Sequence, residues 1–441
     1  MSLVARIVQS SLAAMAIKVG GAGLSYLMFV ALAQTMTPVQ FGYFSVAFSI
    51  AAILAKIAVG GQGQLALREL ARLAGQSEAK DARERFVTRA YAAVFVLAVV
   101  LCGALLGAVR LLEVPGSSAS NALLVAALFV PVMAVSELQT SILRAHGALV
   151  LGLGPREILW RGALCAVCFW IALGAGPVLT AAQGFLISVG LLALATLGQM
   201  LASPHIRVWR QAFSWRSLGD RAWIGVSSQF ASTGVVTFAA PMLSVVVVGL
   251  FLSPVAAGAF FAALRTAQVI NLLLMAMGLV ASPLISRAYG AGDLAQVRLI
   301  CLLCAATGAG FAALAFGGMV VFGDAVLGFF GEGYDRAYDA LLLISAAYVV
   351  NAACGPNGAL LEMTAHQGTF LRIVVLTNGL GILALPLLTW AFGAMGAAGA
   401  IAGTLLGWNI LAVIACRRQV GVDPSILSLL TGASGARRPA P

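Results

Sequence analysis

Four ionisable side chains, Lys18, Lys56, Glu137 and Arg265, lie inside long apolar stretches of this sequence. A charge facing hydrocarbon costs about 2.5 to 3.5 kcal/mol on an insertion scale, so each must meet protein, water or an opposite charge. Arg265 is roughly 16 Å into its stretch at 1.5 Å per residue, near a bilayer midplane and too deep to snorkel. Gln268, three positions on, shares its helix face; the pair reads either as a polar strip lining a cavity or as a structural hydrogen bond. Lys18 is roughly 15 Å into the first stretch, with Ser11 and Ser25 on its face. Ser45, Ser49 and Lys56 repeat such a stripe in the second stretch. The two stripes describe a wet, positive interior, although Lys56 is close enough to the inner end to snorkel instead. Glu137 follows Pro131 by six residues and is placed either to pair with Arg144 or a lysine, or to carry protons. The chemistry open to such a set is the recognition of ions.

Nothing in the sequence points to bond making. There is no nucleophile triad, phosphate loop or dinucleotide fingerprint. Cys165-x-x-Cys168 and Cys301-x-x-Cys304 have metal-like spacing but no His or carboxylate beside them, so they read as packing, and neither metal nor cofactor is expected. The acids Asp324, Glu332, Asp335 and Asp339 read as a solvated loop. Pro241 and Pro356 interrupt apolar stretches and are hinge candidates, with a plain packing kink as the other reading.

The elements holding these residues must be membrane helices. Hydrophobic residues make up 61% of the chain and charged residues 9%, with a mean hydropathy of +1.01. No water-soluble fold hides that much apolar surface. Spans are expected near 8–33, 41–62, 88–111, 119–142, 157–175, 178–201, 223–250, 255–284, 298–323, 339–362, 370–392 and 394–416. With the N-terminus inside, 21 of the 26 basic residues fall on cytoplasmic segments, against Arg110 and Arg336 outside. That asymmetry predicts cytoplasmic termini and accounts for the net charge of +11 without a nucleic-acid partner.

The chain also repeats itself. Thr37-Pro38-Val39-x-x-Gly42-x-Phe44-x-x-Ala47 returns 216 positions later as Ser253-Pro254-Val255-x-x-Gly258-x-Phe260-x-x-Ala263. Because an even number of spans separates the copies, the repeat is parallel. The expected architecture is an all-α integral membrane protein of 12 transmembrane helices in two six-helix lobes. Its parts are a lobe at 1–202, a cytoplasmic linker at 203–222, a second lobe at 223–416 and a disordered cytoplasmic tail at 417–441.

At the repeated motif the chain resembles the multidrug, oligosaccharidyl-lipid and polysaccharide (MOP) flippase superfamily, in its bacterial polysaccharide branch with the O-antigen flippases. Phe330-Gly331-x-x-Tyr334-x-x-Ala337 and Leu65-Ala66-Leu67-Arg68-Glu69 are similar to patterns of that branch. The resemblance implies a MATE-like fold, no enzymatic activity, and an alternating-access carrier in the bacterial inner membrane. Its cargo would be an undecaprenyl-pyrophosphate-linked oligosaccharide such as an O-antigen unit of lipopolysaccharide. Membrane lipids and other polysaccharide-assembly membrane proteins are the remaining expected partners. A cavity lined by Lys18, Lys56, Arg265 and Gln268 suits that anionic headgroup. Two alternatives stand: a cation-coupled multidrug antiporter of the same superfamily, whose first span should carry a carboxylate where this one has Lys18, and a membrane glycan polymerase or ligase, which needs a large basic outer loop. The sequence departs from the family's first loop at Gln40-Phe41, where an acidic residue often precedes the glycine.

Overall fold

Each copy of the repeated motif starts its helix by the same chemistry. The Thr37 hydroxyl accepts from the Gln40 amide at 3.3 Å and the Ser253 hydroxyl from the Ala256 amide at 3.1 Å, while Pro38 and Pro254 supply a fixed φ where no amide donor is needed. The computed structural model describes residues 3–74, 80–112, 117–174, 178–206 and 220–431.

The helices are α1 (Leu3–Gln34), α2 (Pro38–Val59), α3 (Gln62–Ala74), α4 (Lys80–Leu111), α5 (Ser117–Ala145), α6 (Leu149–Gly154), α7 (Trp160–Leu173) and α8 (Ala181–Ala202). They continue as α9 (Arg221–Phe251), α10 (Pro254–Ala267), α11 (Ile270–Gly290), α12 (Leu294–Gly328), α13 (Tyr338–Ala353), α14 (Asn357–Met363), α15 (Gln367–Ala415) and α16 (Ser428–Thr431). There is no strand among the described residues. The repeat is visible in these bounds: α2 and α10 begin 216 residues apart, and so do the ends of α3 and α11.

Eight helices among the described residues are long and apolar enough to span a membrane, and α13 with α14 makes a ninth, bent by 43°. Three further crossings come from chain that bends. At about 1.5 Å per residue a helix the length of α15 would be more than twice as long as a bilayer core is thick. It folds at Gly393, whose φ of 62° and ψ of −143° are not helical. Helices α6 and α7 run together through a π-helical turn at Pro155–Leu159, and α10 continues as α11 across a break at Gln268 and Val269. The count is then twelve.

Several expected boundaries shift for physical reasons. The fifth span begins at Leu149, not 157, because the π-turn carries the helix past Pro155, with the Trp160 amide bonding the Pro155 carbonyl. The span drawn at 255–284 is two helices. The tail does not loosen at residue 417: Val420 and Val422 are 3% and 0% exposed, and the Ile426 amide donates to the Ala353 carbonyl at 2.8 Å. Gly355, at a φ of 69°, leaves room there for the Pro424 carbonyl, so residues 417–431 pack on the break before α14. Residues 432–441 and linker positions 207–219 lie outside the described residues.

Contacts divide the chain into two compact units, Met1–Gly249 with Ser253–Gly258, and Leu250–Leu252 with Ala259–Pro441. Helix α9, expected to open the second lobe, thus lies with the first unit. In that unit α5 is the central helix, packed against α2, α3, α4 and α8, with Phe129, Ala134, Leu138 and Ile142 fully buried. The motif residues are packing devices. Phe44 stacks on Phe185 with ring centroids 4.5 Å apart, and a Cβ on Gly42 would fall on the Pro254 carbonyl. One on Gly258 would meet the Gly42 backbone at 3.3 Å. Gln40, where the sequence departs from the pattern of the family it resembles, bridges Ser118 of α5 at 3.2 Å and the first amide of α8 at 2.9 Å.

The second unit is held differently. It has an apolar core around Ile285, Val297, Leu360 and Cys416 and an amide ladder in which Asn357 and Asn409 are buried. Asn357 donates to Asn409 at 2.8 Å, and Asn409 donates to Asn351 at 2.7 Å, which ties α13, α14 and α15 across the break.

Candidate functional site

Helix α5 turns one polar stripe outward from its packed core. Glu137, Thr140, Ser141 and Arg144 follow helical spacing and line a cavity of about 160 Å³ in the first unit. The other walls bring Lys18 from α1, Lys56 from α2, Gln64 from α3 and Arg156 from the π-turn. Phe230, Ala231 and Gly234 of α9 cover it.

Two carboxylates organise the cations. The Lys56 ammonium donates to Glu137 Oε1 at 2.6 Å, and an Arg156 guanidinium nitrogen lies 3.5 Å from Oε2. The Lys18 ammonium donates to Glu157 Oε1 at 2.9 Å and Arg161 Nη1 to Oε2 at 2.6 Å. Arg161 Nη1 also reaches the Gly21 carbonyl at 2.7 Å, and a Cβ on Gly21 would meet Glu157, so this glycine lets α1 approach the π-turn. The Arg144 guanidinium has no hydrogen-bond or ion partner among the described residues. The cavity wall therefore carries four cations against the single carboxylate Glu137.

The break between α2 and α3 fixes the covering helix. Gly60 and Gly61 are both left-handed, and Gly61 is pressed so close to α9 that a Cβ would strike the Ser227 carbonyl. Gln62 Nε2 then donates to the Ser227 hydroxyl at 2.9 Å. The nearest atom to a Cβ built on Gly234 is Lys56 Cε at 3.6 Å, so glycine there leaves space for the lysine stem.

Of the expected site residues, Lys18, Lys56 and Glu137 come together here. Glu137 pairs with Lys56 and Arg156, not with Arg144. Arg265 and Gln268 are in the second unit and do not line this cavity: Arg265 Nη1 donates to Gln268 Oε1 at 3.1 Å, and the guanidinium lies 4.7 Å from the Phe261 ring centroid. Pro241 sits within continuous α9, its carbonyl taken by the Ser244 hydroxyl at 2.7 Å, whereas Pro356 lies at the break before α14. Arg156, Glu157 and Arg161 are the residues that sequence reading missed as a group. Their available signal was the four-residue spacing of Glu157 and Arg161. No cluster of three or more His, Cys, Asp or Glu able to hold a metal occurs among the described residues.

Sequence comparison gives the family. The model of a polysaccharide biosynthesis protein family matches residues 7–289. The chain belongs to that family. No curated protein matches its sequence. Among solved structures, it is similar to an inward-facing multidrug resistance MATE family transporter of the MOP superfamily, with a TM-score of 0.63, 16% identity and 92% of each chain covered. A MOP superfamily transporter from Pyrococcus furiosus, described by a binding pocket of reverse polarity that suggests a different function, gives a TM-score of 0.63 at 14% identity over 92% of this chain and 93% of that one. A eukaryotic MATE transporter gives 0.60 at 14% identity over 94% and 96%. These likenesses show the fold: twelve helices in two lobes, the architecture of MOP superfamily transporters. This member of the polysaccharide biosynthesis family is thus a multi-pass membrane protein.

Proposed function

We propose that this protein moves an undecaprenyl-pyrophosphate-linked oligosaccharide across the bacterial cytoplasmic membrane by alternating access, with both termini cytoplasmic. The observation that carries the reading is the cavity wall, where Lys18, Lys56, Arg144 and Arg156 face Glu137 alone. Arginine forks and lysine ammoniums are the usual ligands of phosphate oxygens, and Thr140, Ser141 and Gln64 offer hydroxyl and amide partners to a sugar. A family of polysaccharide biosynthesis proteins supports the same cargo. The test is a strain that depends on this protein for surface glycan. Lys56→Ala with Arg144→Ala should leave lipid-linked glycan on the cytoplasmic leaflet at normal protein level, and wild-type display from that double variant would refute the reading.

A cation-coupled multidrug antiporter is the second reading, favoured by the two carboxylates Glu137 and Glu157 in the first unit. It predicts drug resistance that collapses in Glu137→Gln while glycan display is untouched.

A further inference from the structure

The cavity is already holding an anion of its own. Glu137 is the sole carboxylate on its wall, and it engages two of the four cations, Lys56 and Arg156. A carboxylate and a phosphate offer the same kind of acceptor oxygen, so an incoming phosphate must compete with Glu137 for these donors. The pair can be reached: the Lys56 and Glu137 side chains are 30% and 20% exposed. One cation stands apart. Arg144, two helical turns along the same face of α5, lines the cavity with no ion partner among the described residues.

We propose that Glu137 is a displaceable counter-anion, which holds Lys56 and Arg156 while the cavity is empty and yields them to the phosphate of the cargo. The proposal rests on the anionic-cargo reading above. Arg144 makes the first contact, because nothing has to be displaced from it. Lys56 and Arg156 then change partner from the Glu137 oxygens to phosphate oxygens, and their return to Glu137 accompanies release. Two physical requirements are met at once. An empty cationic cavity in a membrane protein is costly unless its charges are paired, and an anion site without an internal competitor would hold a diphosphate too tightly to let it go. Glu157 does not serve this role, since it lies outside the cavity lining and its second partner is the interior Arg161.

The test is calorimetric titration of inorganic pyrophosphate into the purified full-length chain in phosphatidylcholine nanodiscs, at fixed pH and ionic strength. Glu137→Gln should bind about 10-fold more tightly than wild type, the order expected for losing one charge-assisted competitor. Glu137→Asp, which keeps the charge but shortens its reach to Lys56, should also tighten binding, and it carries the comparison if the glutamine variant does not fold. Glu69→Gln removes a negative charge from Arg68 and Arg72, neither of which lines the cavity, and should leave affinity unchanged. Wild-type binding that neither Glu137 variant tightens would overturn the exchange and leave the anionic-cargo reading standing. Equal tightening by Glu69→Gln would reduce the effect to net charge and overturn it as well. No binding by any of these proteins would overturn both.

Discussion

Arg161 and Lys18 share the carboxylate of Glu157, yet their removal should have different consequences, because burial differs. The Arg161 and Glu157 side chains are 16% and 10% exposed, whereas that of Lys18 is 46% exposed. Arg161→Ala strips a buried carboxylate of its closer partner and frees the Gly21 carbonyl, a change of the class that costs about 3 kcal/mol. Lys18→Ala removes a half-solvated ion pair, for which solvent screening leaves about 1 kcal/mol or less. Thermal melts of the detergent-solubilised protein should therefore show a marked drop for Arg161→Ala and a small one for Lys18→Ala. Glycan display should fall in the lysine variant despite its near-normal melt, and a reversed order of melts would place the anchor of α1 elsewhere. Lys18, Lys56 and Glu137 were legible in the sequence since a charge inside an apolar stretch stands out. Arg156, Glu157 and Arg161 were not, because Gly154-Pro155 reads as the end of a loop. Only the π-turn, a feature with no sequence signature of its own, carries the helix through that proline and places the three in the site.

Helix breaks set the geometry of the first unit, and the double glycine between α2 and α3 separates two ways in which a glycine can matter. Gly60 has a φ of 54° with no atom nearer than 3.6 Å to a built Cβ, so Gly60→Ala should cost only the left-handed backbone penalty, about 1 kcal/mol. Gly61 has the same handedness, but its Cβ would strike the backbone of α9 at Ser227 and Ala231. Gly61→Ala should cost clearly more, read as a lower melting temperature and folded yield, and equal losses in the two variants would deny the close approach of α9. Gly234→Leu tests the cover from the other side. It adds bulk beside Lys56 without altering charge, and should reduce transport by filling the cavity while the protein folds normally. These breaks were unequally legible. The Gly355-Pro356 dipeptide announces itself and Gly393 was expected as a connection, whereas the span expected at 41–62 ran through Gly60 and Gly61. The break at Gln268 and Val269 contains neither glycine nor proline, so periodicity alone drew one helix through it.

Across the whole molecule, the repeat and the charge distribution argue for one arrangement of the chain across the membrane. The matched starts of α2 and α10 and matched ends of α3 and α11 show that the 216-residue offset is structural. An even number of crossings between copies would put both motif heads on the same face, and the excess of basic residues on the opposite segments predicts that this face is the outer one. Helix α12 gives the sharpest test, because at about 1.5 Å per residue its 35 residues exceed the bilayer core and must separate whatever lies at its two ends. Ala291 precedes it and Glu332 follows it, and both are exposed. In a background with the seven native cysteines replaced, a membrane-impermeant thiol reagent applied to intact spheroplasts should label Glu332→Cys and spare Ala291→Cys until the membrane is opened. Labelling of Ala291→Cys alone would invert the chain and put the arginine-rich segments outside, against the charge rule. Labelling of both without permeabilisation would mean that α12 does not cross, and the count of twelve would fail with it.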